Sequence, residues 1–406
     1  MNKIAVAAVL IALLAVASAA AVACWNGQEK AEAGQPEPSG DLESLAWRFF
    51  DGAGDGNVFV SPYSLYLALG MLANGADPGS STESRMLKAL GSSDVESLNV
   101  YAAGLDPEGR FEAANMVLVD SSMLADCASV NAKFERIVSG IYGGKVAEAD
   151  FSGDIDAVKA MIKEWVDART HGMIPDYESA ADSGTAVDIL NVAYFKGEWE
   201  DPFDPSSTRS MKFLNDDGSA STVDMMSKTL GYGSKYYDDG KYRGLSIPYS
   251  SGASMVLILP SGDDGMGVLE SWRSETVEYR EGFLRNVESA SYSKKVDLLL
   301  PRFEMSASYD MDDIFALLGL DFGMPFSKMV DGTVLVVDGG KQETKIKVDE
   351  KGTEAAAVTE IVMKATSFLD PEPPTEFHCD VPFVFMLTSW SDPMFIGYMG
   401  DAGGLD

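Results

Sequence analysis

Apolar residues recur at helical spacing in some stretches of the chain and at alternating spacing in others, and the change of period marks the elements. Leu42, Leu45, Ala46 and Phe49 share one helix face behind Asp41, whose carboxylate suits an N-cap. Ser61 followed by Pro62 supplies a cap and a first-turn proline ahead of Leu65, Leu69 and Leu72. Val158, Met161, Ile162, Trp165, Val166 and Arg169 define another amphipathic helix, closed at Gly172. Ile189 to Phe195 and Met255 to Leu259 are near-continuous apolar runs, which predict strands buried on both faces in the middle of sheets. Pro382 to Leu387 and Met394 to Met399, joined by a polar turn, predict a C-terminal hairpin. No linker interrupts this alternation after Leu42, so the pattern predicts one large α+β domain over 42–406.

One alternating segment stands apart from the rest. From Thr353 one side carries Thr353, Ala355, Ala357, Thr359, Ile361 and Met363, and the other Glu354, Ala356, Val358, Glu360, Val362 and Lys364. That is the period of a half-buried strand whose inward side chains begin very small. A backbone of this kind can slide between existing strands without displacing core atoms. The segment runs into Ala365 to Pro374, polar and proline-rich, which cannot continue a central strand and is expected to be an exposed loop.

Ahead of the domain, Lys3 precedes an apolar run from Ile4 to Ala23, the pattern of a secretory signal over 1–24 and also long enough for a membrane anchor. Cys24 sits where a prokaryotic lipoprotein signal places its lipid-bearing cysteine, although Ala21 departs from the Leu usual upstream. Residues 25–41, with Gly27, Gly34, Pro36, Pro38 and Gly40 among polar residues, read as a flexible tether. The expected location is extracellular or at the cell surface, secreted or lipid-anchored. A formal charge of −32, from 63 acidic and 31 basic residues, argues against nucleic acid or anionic membrane surfaces as partners. Three cysteines do not make a disulfide framework at this size; Cys127 and Cys379 read as free, mostly buried thiols.

Catalytic chemistry finds little support in the residues. The chain has only His171 and His378 to serve as a base: the first stands at a helix end, where a cation satisfying terminal carbonyls is the ordinary role, and the second on a predicted strand. Cys and His fall short of a metal site in number and spacing, and Asp51 to Asn57 reads as a turn, since a calcium loop would end in a Glu that is missing. No cofactor is expected, and no enzymatic activity.

Several blocks, in order along about residues 42 to 402, carry a resemblance. These are Asn57 to Leu69 with Ser61-Pro62 and Ser64, Thr82 to Gly91, Ile162 to Gly172, and Leu190 to Phe203 with Asn191 and Trp199. Leu300-Pro301-Arg302-Phe303, the run Glu350-x-Gly352-Thr353-Glu354-Ala355-Ala356-Ala357, and Pro382 to Phe385 with Phe395-Ile396-Gly397 complete the set. Together they resemble the serpins. The resemblance implies three β-sheets with eight or nine helices and an exposed reactive-centre loop at about 350–376. It also implies inhibition of a serine protease, or of a cysteine protease, by a suicide-substrate mechanism in which the cleaved loop inserts into the main sheet. Glu350 and Gly352 to Ala357 would be the hinge, and Asn57, Ser61, Ser64, Asn191, Trp199 and Gln342 the region where the sheet opens. In the family's register the scissile bond is Thr366-Ser367, which points to elastase-like or subtilisin-like targets, with Lys364 and Phe368 as the alternative baits. Gln342 stands where the family usually has a histidine, so the opening region would lack a group that charges. The stretch from Gly91 to Asn115 looks shorter than the family's, with one helix reduced or missing, and its Asp94, Glu96, Asp106 and Glu108 offer no basic site for a heparin-type cofactor. A monomer is expected. The competing reading is a non-inhibitory serpin acting as a binding or structural module; such members tend to carry bulky, charged or proline residues in the hinge, whereas here the hinge residues are small.

Overall fold

Side-chain caps decide where the helices begin. Asp41 accepts from Ser44 N at 2.8 Å to open Leu42–Gly52, and Ser61 Oγ accepts from Ser64 N at 3.3 Å to open Pro62–Gly75. Asp154 opens Ile155–Arg169 through Ala157 N at 3.1 Å. The computed structural model describes residues 37–403 apart from 128, 263–264, 322, 338, 354–371 and 390–391, and nine helices lie among the described residues. One of them is a short helix in the stretch after Gly91, where a reduced or missing helix is expected. Asp94 accepts from Ser97 N at 2.8 Å and opens Val95–Gly104, a ten-residue helix that buries Leu98 and Ala102. The acids of that stretch are structural: Asp94 and Glu96 are the cap and first-turn anion, and Asp106 accepts from Phe111 N at 2.8 Å.

Three sheets organise the strands, with a two-stranded hairpin, Pro325–Val330 and Thr333–Val336, beside them. A six-stranded sheet, antiparallel throughout, runs in the order Val58–Val60, Asp392–Met399, Phe383–Ser389, Ser254–Pro260, Tyr242–Pro248, Lys235–Asp238. It contains the C-terminal hairpin that the pattern predicted. A four-stranded sheet runs Thr375–His378, Val296–Pro301, Ala220–Leu230, Arg209–Leu214. The seven-stranded sheet has the path Lys145–Ala149, Glu112–Asp120, Val187–Tyr194, Gly339–Asp349, Gly352–Thr353, Gly197–Glu198, with Phe303–Asp310 on the other edge of Gly339–Asp349.

Strand Val187–Tyr194 shows why a continuous apolar run marks a central position. Ile189 and Ala193 belong to the main core, while Leu190, Val192 and Tyr194 pack with Val158, Ile162 and Val166 of helix Ile155–Arg169 on the opposite face. All eight residues of the strand are buried. The sheet is therefore sandwiched between a helix and the rest of the protein. None of the described helices is long and apolar enough to cross a membrane, and the apolar run Ile4 to Ala23 and Cys24 lie outside the described residues.

Candidate functional site

The site begins where strand Gly339–Asp349 turns back on itself. Asp349 Oδ1 accepts from Lys351 N at 2.8 Å and from Gly352 N at 3.2 Å, so Glu350 and Lys351 form a tight turn and Gly352–Thr353 returns antiparallel to Val348–Asp349. Only glycine fits at 352, because a Cβ there would stand 2.1 Å from Gly197 O. Gly352–Thr353 pairs on its far side with Gly197–Glu198.

This placement has a geometric consequence. Val348 pairs with Phe303 on one edge and with Thr353 on the other, and a strand has only two edges. The returning residues therefore lie on the edge that, from Gly339 to Lys345, pairs directly and in parallel with Asp188 to Tyr194. Gly352–Thr353 is a two-residue wedge between Gly339–Asp349 and Gly197–Glu198, and below it Gly339–Asp349 is in direct contact with Val187–Tyr194, the strand just before Gly197 in the chain.

Side chains hold the wedge from several elements. Thr353 is fully buried with its hydroxyl 2.7 Å from Tyr249 OH, and Trp199 stacks on Tyr249 with centroids 4.3 Å apart. Trp199 Nε1 donates to Asp349 O at 2.9 Å, Trp199 N to Lys351 O at 2.9 Å, and Phe203 N to Glu350 O at 2.8 Å. The Glu350 carboxylate accepts from Thr208 Oγ1 at 2.6 Å and lies 3.7 Å from Arg302 Nη1. Burial pushes the Tyr249 phenol up, so it stays a neutral partner for Thr353.

Below the wedge the parallel seam carries a buried polar row. Asn115, Asn191 and Gln342 stand opposite one another on three adjacent strands. Gln342 Nε2 donates to Asn191 Oδ1 at 2.7 Å and to Ser61 O at 3.0 Å, and its Oε1 accepts from Ser61 N at 3.2 Å. Asn191 Nδ2 is shared among Ser64 O at 2.9 Å, Ser64 Oγ at 2.6 Å and Asn115 Oδ1. One position on, Thr344 Oγ1 donates to Phe59 O at 2.7 Å. Two strands and the helix Pro62–Gly75 are thus tied by hydrogen bonds that an inserted strand would have to replace.

Of the residues expected in this region, Ser61, Ser64, Asn191 and Gln342 meet at the seam, and Glu350, Gly352, Thr353 and Trp199 meet at the wedge. Asn57 belongs to neither. It is exposed, its Oδ1 accepts from Gly400 N at 2.8 Å and Asp401 N at 2.9 Å, and its amide donates to Asp401 O, so it fastens the C-terminal segment. Glu354, Ala355, Ala356, Ala357, Lys364, Thr366, Ser367 and Phe368 lie outside the described residues. Tyr249, Thr208 and Asn115 were not singled out for the site in the sequence, and Phe203 and Arg302 stood in quoted blocks without a role. Asn115 alone left a signal, as a lone amide entering the apolar run Met116 to Val119.

The two histidines have local partners. His171 does not serve the helix carbonyls as expected: it adopts φ 51°, its ring is exposed 3.5 Å from Glu112, and Gly172 N donates to Asp167 O instead. His378 Nε2 is 3.2 Å from Asp297 Oδ2 on the four-stranded sheet. Cys379 is buried and free, and burial pushes its thiol up, which makes it inert. Asp51, at the head of the calcium-loop-like run, is held bidentate by Arg280 at 2.7 and 2.8 Å.

Comparison with known proteins agrees with this architecture. Residues 44–401 match the family model described as Serpin (serine protease inhibitor). The chain is 28% identical to Iripin-2 of Ixodes ricinus over 393 residues, 93% of this chain and 95% of that one. It is 29% identical to the leukocyte elastase inhibitor of Sus scrofa, covering 84% and 92% of the two chains. The crystal structure of the thermophilic serpin tengpin in its native state superposes with a TM-score of 0.75 at 26% identity, over 89% of this chain and 93% of that one. The chain belongs to the serpin family, whose members are in general inhibitors of serine proteases and not catalysts.

Proposed function

We propose that this protein traps an elastase-like or subtilisin-like serine protease as a suicide substrate, exported from the cell and secreted or held at its surface through Cys24. The observation that carries this reading is the wedge. Gly352–Thr353 already occupies the mouth of the seam in the orientation that a longer insertion would continue. Extending the register of Val348 with Thr353 brings Ala355 opposite Ile346, Ala357 opposite Thr344, Thr359 opposite Gln342 and Ile361 opposite Gly340. All four of these partners are inward-facing and buried, and the first three incoming residues, Ala355, Ala357 and Thr359, are small. A parallel pair with slanted hydrogen bonds would become two antiparallel ladders. A protease acylated at Thr366 would be dragged with the strand, and distortion of its oxyanion hole would stop deacylation. The name of the leukocyte elastase inhibitor among the relatives supports the preference for a small residue at the cleaved bond.

Incubation with pancreatic elastase and with subtilisin, followed by a denaturing gel, tests the reading. A covalent complex is expected, with a released fragment that begins at Ser367. A fragment beginning at Ala365 moves the bait to Lys364; complete turnover with no complex removes the inhibitory function and leaves a binding module. Thr353→Arg should convert the protein from inhibitor to substrate, since an unpaired charge at this fully buried position costs about 3–5 kcal/mol, expels the wedge from the mouth of the seam and must be buried again before the strand behind it can enter.

A further inference from the structure

Between the helices Pro62–Gly75, Val95–Gly104 and Ala132–Ile141 the surface sinks into a cavity of about 550 Å³. That is the size of a small-molecule site. Its deepest lining is apolar: Ala73, Ala76 and Phe134 are buried, and the small side chains of the two alanines leave the space open. Val95 and Ile137 rise half-buried at the sides. The amides that also line it are engaged with each other. Asn74 Nδ2 donates to Asn99 Oδ1 at 2.9 Å, Asn99 Nδ2 to Asn74 Oδ1 at 3.0 Å, and Tyr142 OH to Asn99 Oδ1 at 2.6 Å. Recognition of a charged ligand is therefore left to the rim.

The rim carries charges of both signs, and most of them have work within the fold. Glu83 Oε2 accepts from Gly79 N at 2.6 Å, Asp94 accepts from Ser97 N at 2.8 Å, and Lys328 Nζ stands 3.2 Å from Asp77. Two do not. Glu96, in the first turn of Val95–Gly104, and Lys133, in the first turn of Ala132–Ile141, are exposed and have no side-chain partner among the described residues. A carboxylate and an ammonium thus line one cavity from two helices, and no ion pair joins them to each other. A ligand that carries both opposite charges meets both at once, while its apolar part lies on the alanines and Phe134.

We propose that this cavity binds a zwitterionic peptide of about two residues with apolar side chains. The peptide's ammonium pairs with Glu96 and its carboxylate with Lys133, and its side chains cover Ala73, Ala76 and Phe134. Asp94, two residues before Glu96 and on the same rim, adds to the negative potential at the amine end. The floor is fixed by helix packing and by its own amide pairs, so little ordering cost remains on binding. None of these residues belongs to the wedge, the seam or the loop, and the site does not depend on protease trapping.

Calorimetric titration of the purified protein with leucyl-phenylalanine, its N-acetyl derivative, its C-terminal amide and glycylglycine tests this. The free dipeptide should bind, and blocking either end should weaken it about fivefold, by less as salt is raised. Glycylglycine, with both charges and no apolar side chain, should give no heat. Glu96→Gln should bring the free and N-acetylated peptides within about twofold of each other and keep the penalty for amidation, whereas Lys133→Gln should erase the amidation penalty alone. Both positions are exposed, so both variants should keep the parent's thermal midpoint. No heat from the free dipeptide up to about 10 mM, equal affinities for the three apolar peptides, or penalties that neither variant removes overturn the proposal.

Discussion

In the six-stranded sheet Phe59 stacks between Phe385 and Phe395 at centroid distances of 5.8 and 5.3 Å, and Phe303 adds its ring to Phe385 at 5.3 Å. On the core-facing side of the seven-stranded sheet the corresponding row is Asn115, Asn191, Gln342 and Thr344. The first is held by shape: Gly397 leaves room for the Phe385 ring, where a Cβ would stand 2.1 Å from it. The second is held by directional bonds between groups that can exchange partners. Close packing has no intermediate state, whereas a hydrogen bond given up to one strand can be made to the next. If the proposed insertion takes place, a sheet that stays closed and one that opens differ in the kind of contact at the seam, not in how deeply it is buried.

Cleavage of the loop by a non-target protease breaks the comparison most severely. If the cleaved strand enters the seam, the thermal midpoint should rise well beyond the 2–4 °C that about 1 kcal/mol gives in a large domain, whereas an ordinary nicked loop leaves it unchanged or lower. Melting curves of intact and cleaved protein at equal salt decide it, and coincident curves mean that the strand does not insert.

Phe385→Ala should cost about 3–5 kcal/mol, lowering the midpoint of intact and cleaved protein alike, because the aromatic row is the same in both. Gln342→Leu should cost less, about 1–3 kcal/mol, since it strands Asn191 Oδ1 and both backbone groups of Ser61. Its effect should fall on the intact form and on the rate of insertion. Gln342→His should make that rate pH-dependent between about pH 5 and 8, where the amide of the parent contributes no titration. Equal losses from Gln342→Leu in intact and cleaved protein would mean that the polar row is ordinary core.

The smallest effect belongs to the packed side. Burial, and then the hydrogen bond and charge of Glu281, push the Glu43 carboxyl up to about 7. The folded protein therefore holds that proton more tightly than the unfolded chain does, and the stability it confers at acid pH is lost as pH rises through about 7. Glu43→Gln should flatten the fall in midpoint that runs from the ordinary carboxylate range up to about pH 7; a parallel fall in parent and variant would exclude Glu43 as its source.

Sequence alone determined whatever depends on neighbours within a turn or a strand. Asp41, Ser61 and Asp154 cap their helices because an oxygen three residues ahead of an unpaired N–H is in place whatever else folds. The alternation that put Thr353 on an inward face is likewise local, as is the two-sided burial of Ile189 to Phe195. The ordered blocks made the serpin family legible across most of the chain. Only the tertiary structure decided which edge Gly352–Thr353 occupies, that Tyr249 receives Thr353, and that Asn115 completes the row begun by Asn191. It also moved Asn57 from the opening region to the C-terminal segment. Thr353 and Tyr249 are 104 positions apart in the chain, and Asn57 and Asp401 are 344 apart. No periodicity links residues so distant: their partners are chosen by how whole strands register against each other, and that choice is made by packing of the entire core.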